Sequence, residues 1–295
     1  MGAPWRDHPA WDVVERLSVA TGRDLAGLLL DVDAETLKAT RNAQLAAFGL
    51  SLLVLEATRA AGLGGRPVRA VAGHSLGEYT ALVAAEVLTP EEGARLVVAR
   101  GEAMQAAADA GPGTMAAVLG LDATQVAEAC AGVDGAWPAN DNAPGQIVVA
   151  GTAPGVEAAG EAAIALGAKR VLPLPVGGAF HSPLMAPAQA PLDEALAGAV
   201  FGAADYDVVA NVDAAPHRDG WADLLSAQLV SPVRWRESLL TLSGLGVTHF
   251  LELGPGSELS GMVKRTVEGA ARANVATPDD LEGLAAFLDS VVTSA

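Results

Sequence analysis

Residues 68–88 read VRAVAGHSLGEYTALVAAEVL. VRAVAG is a short β-branched run, Gly73-His74-Ser75-Leu76-Gly77 follows it, and GEYTALVAAEVL then takes the apolar spacing of a helix. A serine in G-x-S-x-G between a strand and a helix has the setting of a nucleophile elbow. The glycines permit a sharp turn, so the Ser75 hydroxyl projects. The next backbone N–H, that of Leu76, points at a developing oxyanion, with the positive end of the helix behind it. Chance produces the bare pattern often in a chain with 33 glycines; the strand-turn-helix context is what distinguishes it.

Upstream, the pattern predicts helices over 8–21, 25–30 and 42–61, with no strand before Val68. Downstream, Thr89-Pro90-Glu91-Glu92 is a capping box that opens a long helix to about residue 110. Between Thr114 and Pro175 the rhythm becomes strand TMAAVLG, helix 122–131, a short strand near Trp137, the NAPG turn, strand QIVVAG, helix 156–167 and strand KRVLPL. That is β-α-β-β-α-β, a ferredoxin-like order. Eight acidic residues and no Lys or Arg lie between Arg100 and Lys169. The expectation is therefore an inserted subdomain at 114–176 within a larger domain made of 1–113 and 177–295. After His181 the larger domain continues with helix 185–197, strand DVVANV, helices 221–229 and 233–242, and strand VTHFLEL. A helix to residue 265, strand ARANVA and a last helix from residue 279 follow. Strands alternating with helices predict an α/β fold with a hydrolase-like parallel sheet covered on both faces.

The composition sets outer limits. Of 295 residues, 18 are Lys or Arg and 35 Asp or Glu, a net charge of −17, with pI near 4.5. Nucleic acid and anionic membrane are disfavoured as partners. With 51% hydrophobic and 18% charged residues the chain folds around an Ala, Leu and Val core. Cys130 stands alone, which excludes an intramolecular disulfide and a thiolate metal site and suits a reducing cytoplasm. MGAPWRDHPAW has no signal-peptide pattern, and Arg6 stands where a myristoylation signal has Ser or Thr. The longest apolar run, 45–55, is short of the ~20 residues that span a bilayer. The expectation is a soluble monomer without metal or cofactor.

A serine nucleophile needs a base, and five histidines are available. His8 and His217 read as surface residues, His74 as packing inside the elbow, and His249 as a core residue of an apolar strand. His181, in Gly177-Gly178-Ala179-Phe180-His181-Ser182-Pro183, lies in a loop at a domain junction, where catalytic residues concentrate.

GHSLGEYTALVAAEVL, LVVARGEAMQ, NAPGQIVVAG, LPLPVGGAFHSPLMAPA, AQLVSPVRW and LELGPGSELSGMVKR occur in this order. Together they resemble malonyl-CoA:acyl carrier protein transacylases over about residues 42–265. The resemblance implies that Ser75 is acylated, His181 is the general base, and Arg100 pairs with the malonyl carboxylate. It implies that the Gln228 backbone carbonyl orients the histidine, and that Phe180 favours malonyl over methylmalonyl groups. A planar, always-charged guanidinium suits a carboxylate that must leave water in a defined direction. The partners implied are malonyl-CoA and an acyl carrier protein, in fatty-acid synthesis or, alternatively, a polyketide line. An acyl-thioester hydrolase and a non-catalytic acyl-binding scaffold are the competing readings; a hydrolase order would need the late His249 as base.

The family's usual opening strand with F-P-G-Q-G-x-Q is not in the sequence. The expectation is an internal start or a shortened chain, an open sheet edge beside the elbow strand, and Leu76 N–H as the one certain oxyanion donor. A carrier protein, itself acidic, would have to land on Lys169, Arg170, Arg234, Arg236, Lys264 and Arg265.

Overall fold

The computed structural model describes residues 1–292. Two 3-10 turns, Ala3–Trp5 and Pro9–Trp11, precede α1 (Asp12–Thr21), α2 (Leu25–Leu30), α3 (Ala34–Lys38), α4 (Thr40–Thr58), β1 (Ala70–Ala72), α5 (Gly77–Ala84) and α6 (Pro90–Ala110). Then come β2 (Thr114–Leu119), α7 (Ala123–Ala131), β3 (Ala136–Ala143), β4 (Gln146–Gly151), α8 (Ala153–Ala165) and β5 (Arg170–Pro173). The remainder is α9 (Gln189–Gly198), β6 (Asp207–Val209), β7 (Pro216–His217), α10 (Trp221–Val230), α11 (Trp235–Gly244), β8 (His249–Leu253), α12 (Glu258–Thr266), β9 (Ala271–Val275) and α13 (Leu284–Val292).

Local chemistry explains the helix starts. Thr89 Oγ1 accepts from Glu92 N at 3.1 Å and Pro90 fills the first position of α6. Asp122 and Gln125 close a reciprocal capping box on α7, with bonds of 2.9 and 3.0 Å. Five-residue α3, capped by Asp33, is too short to show a period and has no counterpart in the sequence reading.

The apolar run 45–55 sits inside a longer helical stretch, 40–63, whose mean hydropathy of 1.4 and length would suffice to cross a membrane. Here it is the core. Leu45, Phe48, Leu52, Leu53 and Val54 are at most 1% exposed, and α4 packs on α1, α2 and α6. Each such side chain contributes about 1.5–3 kcal/mol on burial. α6 comes close to α4 because residue 101 is glycine: a Cβ there would stand 3.0 Å from Arg41 Cα. That approach sets Arg100 of α6 against Gln44 of α4.

The expected single parallel sheet is instead divided. β1 pairs parallel with β6, from Ala70↔Asp207 to Ala72↔Val209, and β6 takes β7 antiparallel. β8 and β9 form a separate parallel pair. Alternation of strands and helices records parallel crossovers, which both pairs satisfy; it carries no information on whether the pairs join. Among the described residues β1 and β8 each have one ladder partner, and every residue of both strands is half-buried.

β3, β4, β2 and β5, in that order, form one antiparallel sheet. β3 is eight residues long rather than a short strand, and two register shifts, at Pro138/Asn140 and Asp141/Ala143, obscure its alternation. α7 and α8 cover one face through Val126, Cys130, Ala159 and Ala163. The other face, with Met115, Ala117, Val148 and Ala150, packs on Ala179 and Phe180. β3 is also tied to the rest of the chain: Val233 N donates to Ala139 O and Asp141 N to Val233 O, both at 2.9 Å. Val233 is thus in an extended bridge, and α11 begins at Trp235 rather than 233.

Candidate active site

Ser75 occupies a left-handed conformation, φ 51°, at the turn from β1 into α5. Gly73 makes the turn possible, because a Cβ there would lie 1.9 Å from Gly77 O. A Cβ on Gly77 would meet nothing within 4 Å, so only the first glycine of the motif is sterically required. Asn211, just past β6, staples the turn: its Oδ1 accepts from Ser75 N at 2.6 Å and its Nδ2 donates to Gly73 O at 2.8 Å. The Ser75 N–H is therefore spent. Leu76 N–H has no acceptor among the described residues, and it points from the start of α5, as an oxyanion donor must.

His181, also at positive φ (58°) and 4% exposed, places Nε2 2.6 Å from Ser75 Oγ. Its Nδ1 is 3.0 Å from the backbone oxygen of Gln228. A carbonyl oxygen can only accept, so Nδ1 carries the hydrogen and Nε2 is left with its lone pair toward the Ser75 hydroxyl. Burial, then the nearby Arg100 charge, push the imidazole pKa down to about 3, against the Gln228 bond that raises it. The ring is neutral and able to accept a proton across the physiological range.

Arg100 is 1% exposed. Its Nη1 donates to Gln44 Oε1 at 2.6 Å; its Nη2 donates to Gln228 Oε1 at 3.0 Å and to Ser75 Oγ at 3.1 Å. The guanidinium also lies 5.6 Å from the Tyr79 ring centroid. Opposing it is Glu78, fully buried, whose Oε2 accepts from Gln228 Nε2 at 2.9 Å and Asn211 N at 3.0 Å. Burial raises the Glu78 carboxyl to about 7 despite those bonds and the Arg100 charge. A fixed cation beside a serine–histidine pair can hold a carboxylate-bearing acyl group at the nucleophile.

The fold thus brings Ser75, Leu76, Arg100, His181 and Gln228 together. Phe180 is half-buried beside them, its ring lying over Gly178, where a Cβ would come within 2.8 Å. His74 Nε2 bonds Asn142 Oδ1 at 2.8 Å and its ring meets Trp235 edge-on. Gln44, Glu78, Asn142 and Asn211 escaped the sequence reading. Glu78 had a signal, as a charged residue opening an apolar helix; Asn142 is near the end of β3, just before a turn, and Asn211 lies in a turn, where asparagine is ordinary.

Two histidine expectations need correction. His249 is not a core residue: it is half-buried at the start of β8, bonds Thr248 Oγ1 at 2.9 Å and meets Phe287 edge-on. With one ladder partner, β8 does not enclose its side chains. His217, read as a surface residue, is half-buried in β7, its Nε2 2.8 Å from Asp213. Of the basic residues, Arg234 pairs with Glu237 and Arg236 with Asp141, so their charge is locally offset.

The acyl transferase domain family matches residues 8–284. The chain belongs to this family. The acyl transferase is 43% identical over 264 residues to the malonyl CoA-acyl carrier protein transacylase of Bacillus subtilis (strain 168), covering 88% of this chain and 82% of that one. It is 43% identical over 256 residues to the protein of the same name from Escherichia coli (strain K12), covering 85% and 82%. Among solved structures, the acyl carrier protein S-malonyltransferase of Vibrio cholerae O1 superposes with TM-score 0.88 at 38% identity, covering 93% of this acyl transferase and 91% of that chain. A malonyl-transacylase in complex with a type II PKS acyl-carrier protein gives 0.90 at 36%, covering 96% and 94%.

Proposed function

We propose that this acyl transferase moves a malonyl group from malonyl-CoA to the phosphopantetheine thiol of an acyl carrier protein, supplying extender units for fatty-acid synthesis. The observation that carries the reading is the buried Arg100 guanidinium 3.1 Å from the hydroxyl that His181 also engages. A hydrolase has no need of a cation there, whereas a malonyl thioester carries its own carboxylate.

Ser75 Oγ attacks the thioester carbonyl as its proton passes to His181 Nε2, and the oxyanion faces Leu76 N–H. The C–S bond breaks, His181 returns the proton to the departing thiolate, and coenzyme A leaves with malonyl esterified to Ser75. The carrier thiol then gives its proton to His181, attacks the ester and regenerates Ser75. The Gln228 carbonyl keeps the imidazole in the required tautomer, and Phe180, with His74 bordering the elbow, narrows the space beside the acyl α-carbon.

We read residues 114–176 as a ferredoxin-like insert, which the strand order β3-β4-β2-β5 and two helices on one face support. Lys169, Arg170, Lys264 and Arg265, exposed and outside any ion pair among the described residues, are the better carrier contacts than paired Arg234 and Arg236. Buried, solitary Cys130 suits a monomer working in a reducing cytoplasm.

Incubation with malonyl-CoA and intact-mass measurement tests the assignment. One malonyl adduct, lost in Ser75→Ala and discharged by holo carrier protein, is the expected result; free malonate formed at the same rate without carrier would make the protein a hydrolase.

A further inference from the structure

Behind the serine–histidine pair, one oxygen of the buried Glu78 holds two members of the network at once. Its Oε2 takes the Gln228 side-chain amide and the Asn211 main-chain N–H. Asn211 in turn holds Ser75 N and Gly73 O, and Gln228 Nε2 also reaches Ser75 O at 3.0 Å. The other end of the Gln228 amide, Oε1, faces Arg100 Nη2.

A carboxylate places demands on that amide. Ionised, Glu78 has no hydrogen to donate; protonated, it can carry the hydrogen on Oε1, which has no partner among the described residues. In both states Oε2 remains an acceptor, so Gln228 must present its NH₂ to Glu78 and its oxygen to Arg100. The flipped amide would set oxygen against Glu78 Oε2 and Ser75 O, and NH₂ against the guanidinium.

We propose that Glu78 is a positioning residue for the acyl-carboxylate site: its Oε2 pins the Gln228 amide so that Gln228 Oε1 holds the Arg100 guanidinium beside Ser75. This rests on the malonyl-transfer reading and adds to it the residue that aims the cation. Because the His181 partner is the Gln228 main chain, carried by α10, the effect of Glu78 through the Gln228 side chain falls on the carboxylate and leaves the His181 tautomer as it is.

The variants Glu78→Ala and Glu78→Gln separate position from charge. Gln keeps an oxygen at the Oε2 place, accepts both bonds and removes the charge; Ala removes everything. In Glu78→Ala the KM for malonyl-CoA should rise about ten-fold, the size of one lost buried hydrogen bond to a charged group. The kcat for the slow acylation by acetyl-CoA should move far less. Glu78→Gln should restore the malonyl-to-acetyl preference to within about three-fold of the unmodified protein. Where Glu78→Ala does not fold, Glu78→Asp serves, since one methylene fewer withdraws the oxygen from Gln228 and keeps the charge. An unchanged malonyl-to-acetyl ratio in folded Glu78→Ala or Glu78→Asp overturns the proposal, and so does a Glu78→Gln defect as large as that of Ala. Failure of malonyl-CoA to acylate Ser75 in the unmodified protein overturns the functional reading and this proposal together, an outcome distinct from an unchanged ratio.

Discussion

Arg100→Ala puts the acyl-carboxylate assignment under direct strain. The guanidinium is held from Gln44 at 2.6 Å and from Gln228 at 3.0 Å, so it is oriented before substrate arrives and little ordering entropy is spent on binding. Removing it leaves a malonyl carboxylate unpaired where the guanidinium was 1% exposed. Breaking one partner of a buried ion pair costs about 3–5 kcal/mol. The low end applies, because a substrate carboxylate can stay partly hydrated, and about 3 kcal/mol is roughly a 10²-fold loss of kcat/KM. Acetyl-CoA has no carboxylate and loses only the effect of the bond from Arg100 to Ser75 Oγ, so its kcat/KM should change by no more than about three-fold. Acylation rates of Ser75 from both thioesters, followed by intact mass, measure the two numbers. An equal fall for malonyl-CoA and acetyl-CoA would show that Arg100 supports the fold or the serine, not the carboxylate. Within the variant, loss of the Arg100 charge moves the Glu78 carboxyl further up, which favours its neutral form.

The base His181, with its pKa near 3 against an ordinary 6.5, should keep acylation running well below pH 6.5; an acidic limb at 6.5 or above refutes the burial argument. Its folded pKa is depressed, so its contribution to stability is present above 6.5 and is lost as pH falls toward 3. Glu78 has the opposite sign: raised from 4.5 to about 7, it contributes stability below 4.5 that is lost as pH rises through 7. Urea denaturation should therefore show Glu78→Gln gaining on the unmodified protein between pH 5 and 8, by on the order of 3 kcal/mol at most, whereas a constant difference contradicts it. Gly73→Ala should melt far below Gly77→Ala, since only the first drives a Cβ into backbone, 1.9 Å from Gly77 O; equal melting temperatures would refute that asymmetry. Phe180→Ala should raise methylmalonyl acylation relative to malonyl by the worth of about one methyl, 1–3 kcal/mol, and an unaltered ratio means Phe180 does not border the acyl group.

Much of this site could be read from residue order alone because its chemistry is local. Strand, G-x-S-x-G and helix are contiguous, so Ser75 and Leu76 declare themselves within one turn. The Thr89 cap and the Asp122 capping box are equally local, and α6 and α7 begin where they indicate. What could not be read is spatial. Asn211 is 136 residues from Ser75 and Glu78 is 150 from Gln228, and nothing in a strand end or a helical first turn announces such a pairing. The split between the β1-β6-β7 and β8-β9 sheets is hidden for the same reason, since a strand's neighbours are set by what packs around it. His249 departs from the expected core position because apolar neighbours in sequence do not guarantee enclosure when a strand has one partner among the described residues.

β3 touches the catalytic surroundings at two points: Asn142 holds His74, next to Ser75, and Ala139 and Asp141 hold Val233, five residues past Gln228. One rigid strand therefore fixes the spacing between the nucleophile's turn and the segment that orients the base. The gauge of the cleft is set at the base's end by main-chain bonds to Val233, which no side-chain exchange alters, and at the nucleophile's end by the Asn142–His74 side-chain bond. Efforts to enlarge the range of acyl groups by changing Phe180 alone will work within that gauge, and accommodating a branched or longer chain calls for resetting the β3 bulges themselves.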